Sequence, residues 1–204
     1  MKDTVRTFVA VETSGAVRQK AAGLIEVLAA TGAKVSWVKP QNLHLTLKFL
    51  DEVRWNEIAD VTRAVEQTAR SVEPFELEIR GAGAFPGPGK PRTLWLGTAT
   101  GSEPLAALHA ALEKALKPLG FPKEHRRFAG HLTLGRVRDA GPGTRELGDL
   151  IKEHADFSAG RFTVEELVVF SSELTPQGPI YEAIGRAELG AEDGETRRGR
   201  DAES

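Results

Sequence analysis

The tetrapeptide His-Leu-Thr-Leu occurs twice, at 44–47 and at 131–134, in a chain that has five histidines. In an extended strand successive side chains point to opposite faces, so each copy puts two leucines on one side and a histidine with a threonine on the other. The two copies predict two central strands. Leu45, Leu47, Leu132 and Leu134 pack inward, and His44, Thr46, His131 and Thr133 line the opposite faces. A single copy would fit the wet side of any amphipathic strand; two identical copies point to a shared cleft into which four polar groups converge.

The rest of the chain predicts strands mixed with helices. Thr4 to Val11 reads as a strand, Thr13 or Ser14 caps a helix to about Ala30, and Gly32 stops it. Short strands follow over Lys34 to Val38 and Leu43 to Leu50, then a helix from Arg54 to Arg70 and a strand from Phe75 to Arg80. Gly81 to Pro91 reads as a loop and Thr93 to Gly97 as a strand. Ser102 then caps a helix closed by Pro118 and Gly120. His131 to Val137 is a strand, Thr144 to His154 a weaker helix, and Phe162 to Leu174 and Pro179 to Leu189 two final strands. This order predicts an α+β fold of two related lobes.

Hydrophobic residues make up 40% and charged residues 27% of the 204, the usage of an ordinary soluble body, expected here as one domain over 1–189. The stretch 190–204 holds five acids and three bases, enough to account for the net charge of -2, and is expected to be disordered. Basic residues gather at Lys123, Arg126, Arg127, Arg136 and Arg138, either as a solvated loop and strand end or as a nucleic-acid contact. No apolar run approaches the roughly 18 residues of a membrane span. Lys2, Asp3, Arg6 and Glu12 stand where a signal peptide needs an apolar stretch, so a cytoplasmic location is expected. Absence of cysteine excludes disulfides, thiolate catalysis and Cys-type zinc sites.

Two imidazoles and two hydroxyls suit displacement at a phosphodiester. With an unperturbed pKa of about 6.5, one histidine can accept a proton from water while the other donates to the leaving oxygen. Displacement at phosphorus is in-line, so base and acid belong on opposite sides of it, and threonine hydroxyls can donate to the non-bridging oxygens. No metal or cofactor is expected. Zinc takes three or four ligands, whereas Asp51 and Glu52 follow the first copy and only Asp139 the second. His109, His125 and His154 read as structural or surface residues. Gly81 to Pro86 lacks the third glycine of a dinucleotide fingerprint, Gly87 to Pro91 is no phosphate-binding loop, and no Gly-x-Ser-x-Gly elbow is present.

Beyond the tetrapeptides, the chain contains Arg6-Thr7-Phe8-Val9-Ala10-Val11, an extended first motif from Trp37 to Leu50, Phe85-Pro86 with Pro91 to Gly97, His131 to Arg136, and Ser172-Glu173-Leu174 before Gly178 and Tyr181. Over about Arg6 to Tyr181 it resembles the two-histidine phosphoesterases, specifically the LigT-like RNA 2′,3′-cyclic phosphodiesterases, also called 2′-5′ RNA ligases. The resemblance implies a bilobal fold of two pseudo-symmetric lobes of antiparallel sheet, with helices outside and a central cleft. It implies metal-independent hydrolysis of RNA 2′,3′-cyclic phosphate ends to 2′-phosphate ends, with weak 2′-5′ ligation. It further implies His44 as proton donor, His131 as proton acceptor, Thr46 and Thr133 on the phosphate, and Phe49 and Arg136 as nucleotide contacts. RNA ends are the expected partner, and a monomer the expected state.

Strict alternation objects to the last pair. Phe49 and Arg136 each lie five residues after their histidine, on the leucine face, unless each strand bulges or ends there; Gly135 makes a bulge plausible in the second copy. The chain also departs from the family pattern at Gly130 (commonly proline), Asp51 (glycine) and Gln41 (glutamate). Two other functions fit the same residues: a non-catalytic RNA- or nucleotide-binding module, and a phosphodiesterase of the same fold acting on another cyclic phosphate or on a 2′-5′ oligonucleotide.

Overall fold

Alternating and amphipathic segments resolve into nine strands and four α-helices in the computed structural model, which describes residues 3–191. In chain order these are β1 (Thr4–Glu12), α1 (Gly15–Ala29), β2 (Val35–Trp37), β3 (His44–Arg54), α2 (Ile58–Arg70), β4 (Phe75–Phe85) and β5 (Thr93–Thr98). There follow α3 (Ser102–Leu116), β6 (His131–Val137), α4 (Thr144–Glu153), β7 (Ser158–Val164), β8 (Glu166–Thr175) and β9 (Gly178–Glu188). The expected tail lies outside the described residues except for Gly190, whose amide donates to the Ala69 carbonyl at 3.2 Å, and Ala191.

The strands pair antiparallel in the order β7-β4-β5-β6-β3-β1-β8-β9, with β2 also on β6. Counted outward from the middle, β6-β5-β4-β7 and β3-β1-β8-β9 form two halves, each with its His-Leu-Thr-Leu strand innermost. The halves join through one residue pair, Leu45 opposite Leu132. Only Glu165 separates β7 from β8, yet the two strands belong to opposite halves. In a flat sheet they would stand six spacings of about 4.8 Å apart, so the sheet must curl. The single strand expected over Phe162 to Leu174 is therefore two strands serving different halves.

Helices cover the leucine side. α1 buries Val17, Leu24 and Leu28, α3 buries Leu105, Leu108, Leu112 and Leu116, and both join Leu45, Leu47, Leu132 and Leu134 in one core. Each such side chain contributes about 1.5–3 kcal/mol by leaving water. The N-terminus of α1 is capped as expected, by Ser14 Oγ accepting from the Val17 amide at 3.3 Å. On the other face a smaller cluster of Phe8, Ala10, Val168 and Phe170, with Tyr181 against it, lies beneath His44.

Two local expectations are corrected. Gly81 to Phe85 is not loop but the end of β4, where Gly83 faces Trp95 across the β4–β5 ladder. A Cβ at Gly83 would lie 2.3 Å from the indole, so glycine is what lets the ring lie flat on the strand. Trp55 to Glu57 forms a 3₁₀ turn, and α2 starts only at Ile58.

Candidate active site

Both copies fold as the alternation predicts through their second leucine and then break it in the same way. On β3, Val9 pairs with Lys48 and Ala10 with Thr46, leaving Leu47 as the extra residue of a bulge; Leu50 is skipped likewise between Phe49 and Asp51. On β6, Leu94 pairs with Gly135 and Trp95 with Thr133, leaving Leu134 extra. Each bulge reverses the facing of the residues after it. Phe49 emerges 53% exposed, its ring 6.0 Å from that of Phe8, on the His44 side of the sheet. Arg136 emerges exposed, its guanidinium 3.4 Å from Thr93 Oγ1. The conflict between alternation and the expected contacts is thus resolved by two equivalent bulges.

The second bulge has a local cause at Gly135, and two of the departures from the family pattern, Gly130 and Asp51, have local causes as well. Gly135 is covered by β2, where a Cβ would lie 2.7 Å from Val35 and 2.8 Å from Trp37. At Gly130 a Cβ would come within 2.6 Å of the Leu105 side chain, so the approach to His131 lies tight on α3. Asp51 takes the glycine-like φ of 53° beside the second bulge of β3.

The two histidines are held alike. Nδ1 of His44 lies 2.7 Å from the Asn42 carbonyl, and Nδ1 of His131 lies 2.7 Å from the Ala129 carbonyl. A carbonyl only accepts, so each Nδ1 donates to it, and Nε2 of each ring is the nitrogen left for proton exchange. Thr46 Oγ1 stands 3.0 Å from Nε2 of His44. Antiparallel pairing through Leu45 and Leu132 sets His44 toward Thr133 and Thr46 toward His131. The histidines are therefore diagonal neighbours on one face, their backbones about 7–8 Å apart in such a ladder.

Their surroundings differ. His44 stacks on Phe8 at 4.9 Å and meets the edge of Tyr181 at 5.3 Å, with Phe170 at 6.1 Å. Burial there holds its pKa below the ordinary histidine value, against the Asn42 carbonyl and the Glu12 carboxylate, which favour the charged form. A cavity of about 300 Å³ opens alongside, lined by Gln41, Asn42, Tyr181 and Arg186 among others. Burial likewise raises the Tyr181 phenol, opposed by the positive charges of Arg136 and Arg6. The rings beside His131 are Phe85 at 5.3 Å and Trp95 at 6.5 Å, and its tether to Ala129 is open to solvent.

Several residues around the site escape the sequence-based expectations. Phe8 and Phe170 lie under His44, and the available signal was the run of four apolar residues from Phe8 to Val11, which marks a strand covered on both faces; all four are buried. Lys48 is another. The bulge that turns Phe49 outward turns Lys48 inward, where it is 3% exposed, ion-paired with Glu113 and donating to the Pro122 carbonyl at 2.7 Å. Glu113 in turn accepts the Glu124 amide at 3.1 Å, and His109 on the same helix stacks on Phe128 at 4.1 Å. This network pins the segment leading to His131, and it gives His109 a structural place. His154 caps its helix through Leu150, and His125 lies exposed in the basic segment, both apart from the cleft.

Two abutting strands, each presenting a backbone-tethered histidine and a threonine to one cleft, define the class of two-histidine phosphoesterases. Residues 18–175 match the family model of the 2′-5′ RNA ligase superfamily. The chain is 39% identical over 178 residues to the RNA 2′,3′-cyclic phosphodiesterase of Methanothermobacter thermautotrophicus, covering 87% of this chain and 95% of that one. To the protein of the same name from Archaeoglobus fulgidus it is 35% identical over 180 residues, covering 88% and 98%. Its fold matches the crystal structure of a Thermus thermophilus protein with a TM-score of 0.78 at 27% identity, over 92% of this chain and 100% of that one. It matches E. coli LigT complexed with 3′-AMP at 0.72 and 22% identity, over 92% and 99%, a likeness of fold. The chain belongs to the 2′-5′ RNA ligase superfamily.

Proposed function

We propose that this protein hydrolyses 2′,3′-cyclic phosphate ends of RNA to 2′-phosphate ends, with His44 as general acid, His131 as general base, and no metal in the step. One observation carries it. Both histidines are tethered through Nδ1 to a carbonyl two residues upstream, and they stand at diagonal positions of two adjacent strands, each turning its other ring nitrogen away from that tether. The relatives named above add the substrate. Access supports these roles: the base must be reached by water, as His131 can be, whereas the acid needs only the bound leaving oxygen and tolerates the aromatic enclosure of His44. Water's oxygen bonds to phosphorus as its proton passes to His131; the bond to O3′ breaks as His44 protonates O3′. Thr46 and Thr133 donate to the non-bridging oxygens, Phe49 offers a face for base stacking, and Arg136 offers positive charge to the phosphate.

The experiment is hydrolysis of a cyclic-phosphate RNA end in excess EDTA, with the product identified. A 2′-phosphate is expected; a 3′-phosphate, or full loss of activity with chelator, overturns the proposal.

The lowered pKa of His44 gives a signed pH effect. In the free protein this ring is neutral near pH 7, and a bound phosphodiester anion favours its charged form, so binding takes up a proton. Affinity is then full where His44 is already protonated and falls as pH rises through its free pKa. In His131→Ala, which removes the other histidine of the cleft, the Kd of a 2′,3′-cyclic nucleotide rises between about pH 5 and pH 8. The slope disappears when His44→Ala is added. Calorimetry across that range checks both.

A further inference from the structure

The basic residues that gather in the sequence divide into two groups in the structure. Arg136 lies near the end of β6 and Arg138 just past it, where Arg138 donates to Ser36 Oγ. Lys123, Arg126 and Arg127 lie in the segment before β6, and all three are exposed. Most of the length of β6 separates the groups, His131 to Arg136 alone spanning about 17 Å in an extended strand. Antiparallel pairing of Leu45 with Leu132 runs the chain after Leu45 alongside the chain before Leu132, so Phe49 and the second group share one end of the cleft. The link is direct: Lys48, next to Phe49, donates to the carbonyl of Pro122, next to Lys123.

This segment has neither helix nor strand, yet it is pinned along its length. The Phe121 amide donates to the Leu116 carbonyl at 3.3 Å, Lys48 holds Pro122, Glu113 accepts the Glu124 amide at 3.1 Å, and Phe128 stacks on His109. Its one acid, Glu124, turns toward the buried Lys48, 4.0 Å away. Among the described residues no carboxylate pairs with Lys123, Arg126 or Arg127. Three unpaired like charges within five residues repel one another and contribute nothing to folding, and a row of phosphates would relieve that repulsion.

We propose that Lys123, Arg126 and Arg127 hold the phosphates upstream of the terminal nucleotide, so that the preferred substrate is an RNA strand and not a cyclic mononucleotide. This rests on the cyclic phosphodiesterase reading above and names the part of the substrate that lies outside the cleft. A terminal base stacked on Phe49 stands at the segment's end of the cleft, and the strand leaving its ribose through O5′ passes over the three cations. Contacts to phosphate carry no base identity, so the track tolerates any upstream sequence. Because the segment is pinned before binding, ordering it costs little, and release of counterions from the strand appears as affinity. For a single strand, each phosphate contact steepens the fall of log K with log salt by about 0.7.

The test compares two substrates on the full chain, a 2′,3′-cyclic mononucleotide and a short single-stranded RNA ending in the same cyclic nucleotide. The ratio of their kcat/KM values is measured across a range of salt. A disturbance of the cleft acts on both substrates and cancels in the ratio. The wild type should favour the RNA, and less so as salt rises. Arg126→Gln together with Arg127→Gln is expected to lower the ratio about 10- to 30-fold near 0.1 M salt and to flatten its salt slope by about 1.4. Lysine at both positions keeps the charges and should keep most of the ratio and the slope. Arg138→Gln, at the opposite end of β6, should leave both as they are. A wild type without preference for the RNA, an unchanged ratio in the double glutamine variant, a fall that leaves the salt slope intact, or a loss with Arg138→Gln in its place overturns the track. A wild type that opens neither substrate overturns the function itself, and the track with it.

Discussion

Replacing either His44 or His131 by alanine is expected to lower kcat on a cyclic-phosphate RNA by about 10²- to 10⁴-fold, roughly 3 to 5 kcal/mol of barrier. Each ring moves a proton in the same transition state, so the double variant should lose far less than the product of the two single losses. Stability separates them. His44 packs against Phe8, Phe170 and Tyr181, and its truncation opens a hole in that cluster, whereas His131 stands in the open part of the cleft. His44→Ala should therefore also lower the denaturation midpoint, and His131→Ala should hardly move it. Near-wild-type rates in both single variants would remove these residues from the mechanism.

Lys48→Met is expected to destabilise the protein by about 3–5 kcal/mol, because it leaves the Glu113 carboxylate buried without its cation. Burial alone would raise the Glu113 pKa, but hydrogen bonds from Lys48 and the Glu124 amide hold it below the ordinary carboxylate value. The pair therefore contributes stability above the unfolded carboxylate pKa and loses it as pH falls through the lowered folded value. Replacing both charges, as in Lys48→Met with Glu113→Leu, should recover much of the loss, since an apolar pair leaves no orphan charge. The Pro122 carbonyl and Glu124 amide would still lose their anchors, so the segment before His131 should exchange its amide hydrogens faster even in the double variant. Urea unfolding and hydrogen exchange check the two parts separately.

The elements of the fold are legible in the sequence wherever local pattern and burial agree. Leu45, Leu47, Leu132 and Leu134 are all inside, and Ser14 caps the helix it is expected to cap. Features set by a partner strand are not legible. A bulge after Leu47 or Leu134 depends on the register of β1 or β5, and nothing in the sequence of β3 alone distinguishes Lys48 inward from Lys48 outward. The break at Glu165 is similar. Phe162 to Leu174 is continuous in strand propensity, and only the curl of the whole sheet assigns its two parts to different halves. Gly81 to Phe85 misleads for a different reason: its glycines signal a loop, yet Gly83 serves the flat indole of Trp95. The four polar residues of the doubled motif are legible because alternation holds up to the bulge. Their aromatic surroundings are not, because those come from β1, β4, β5, β8 and β9.

At the centre of the proposed reaction, His44 and His131 act from opposite sides of one phosphorus, one giving a proton to the leaving oxygen and one taking a proton from water. Leaving-group dependence tests this most directly. p-Nitrophenolate departs without protonation, so a 3′-deoxynucleoside 2′-(p-nitrophenyl) phosphate, which has no neighbouring hydroxyl to attack in place of water, has no need of the acid but still needs the base. Measured on this ester and on the 2′,3′-cyclic phosphate, His44→Ala should lose about 10²- to 10⁴-fold on the cyclic substrate and regain most of that on the ester. His131→Ala should be slow on both. Equal losses for His44→Ala on the two substrates, or recovery by His131→Ala in its place, would contradict the assignment.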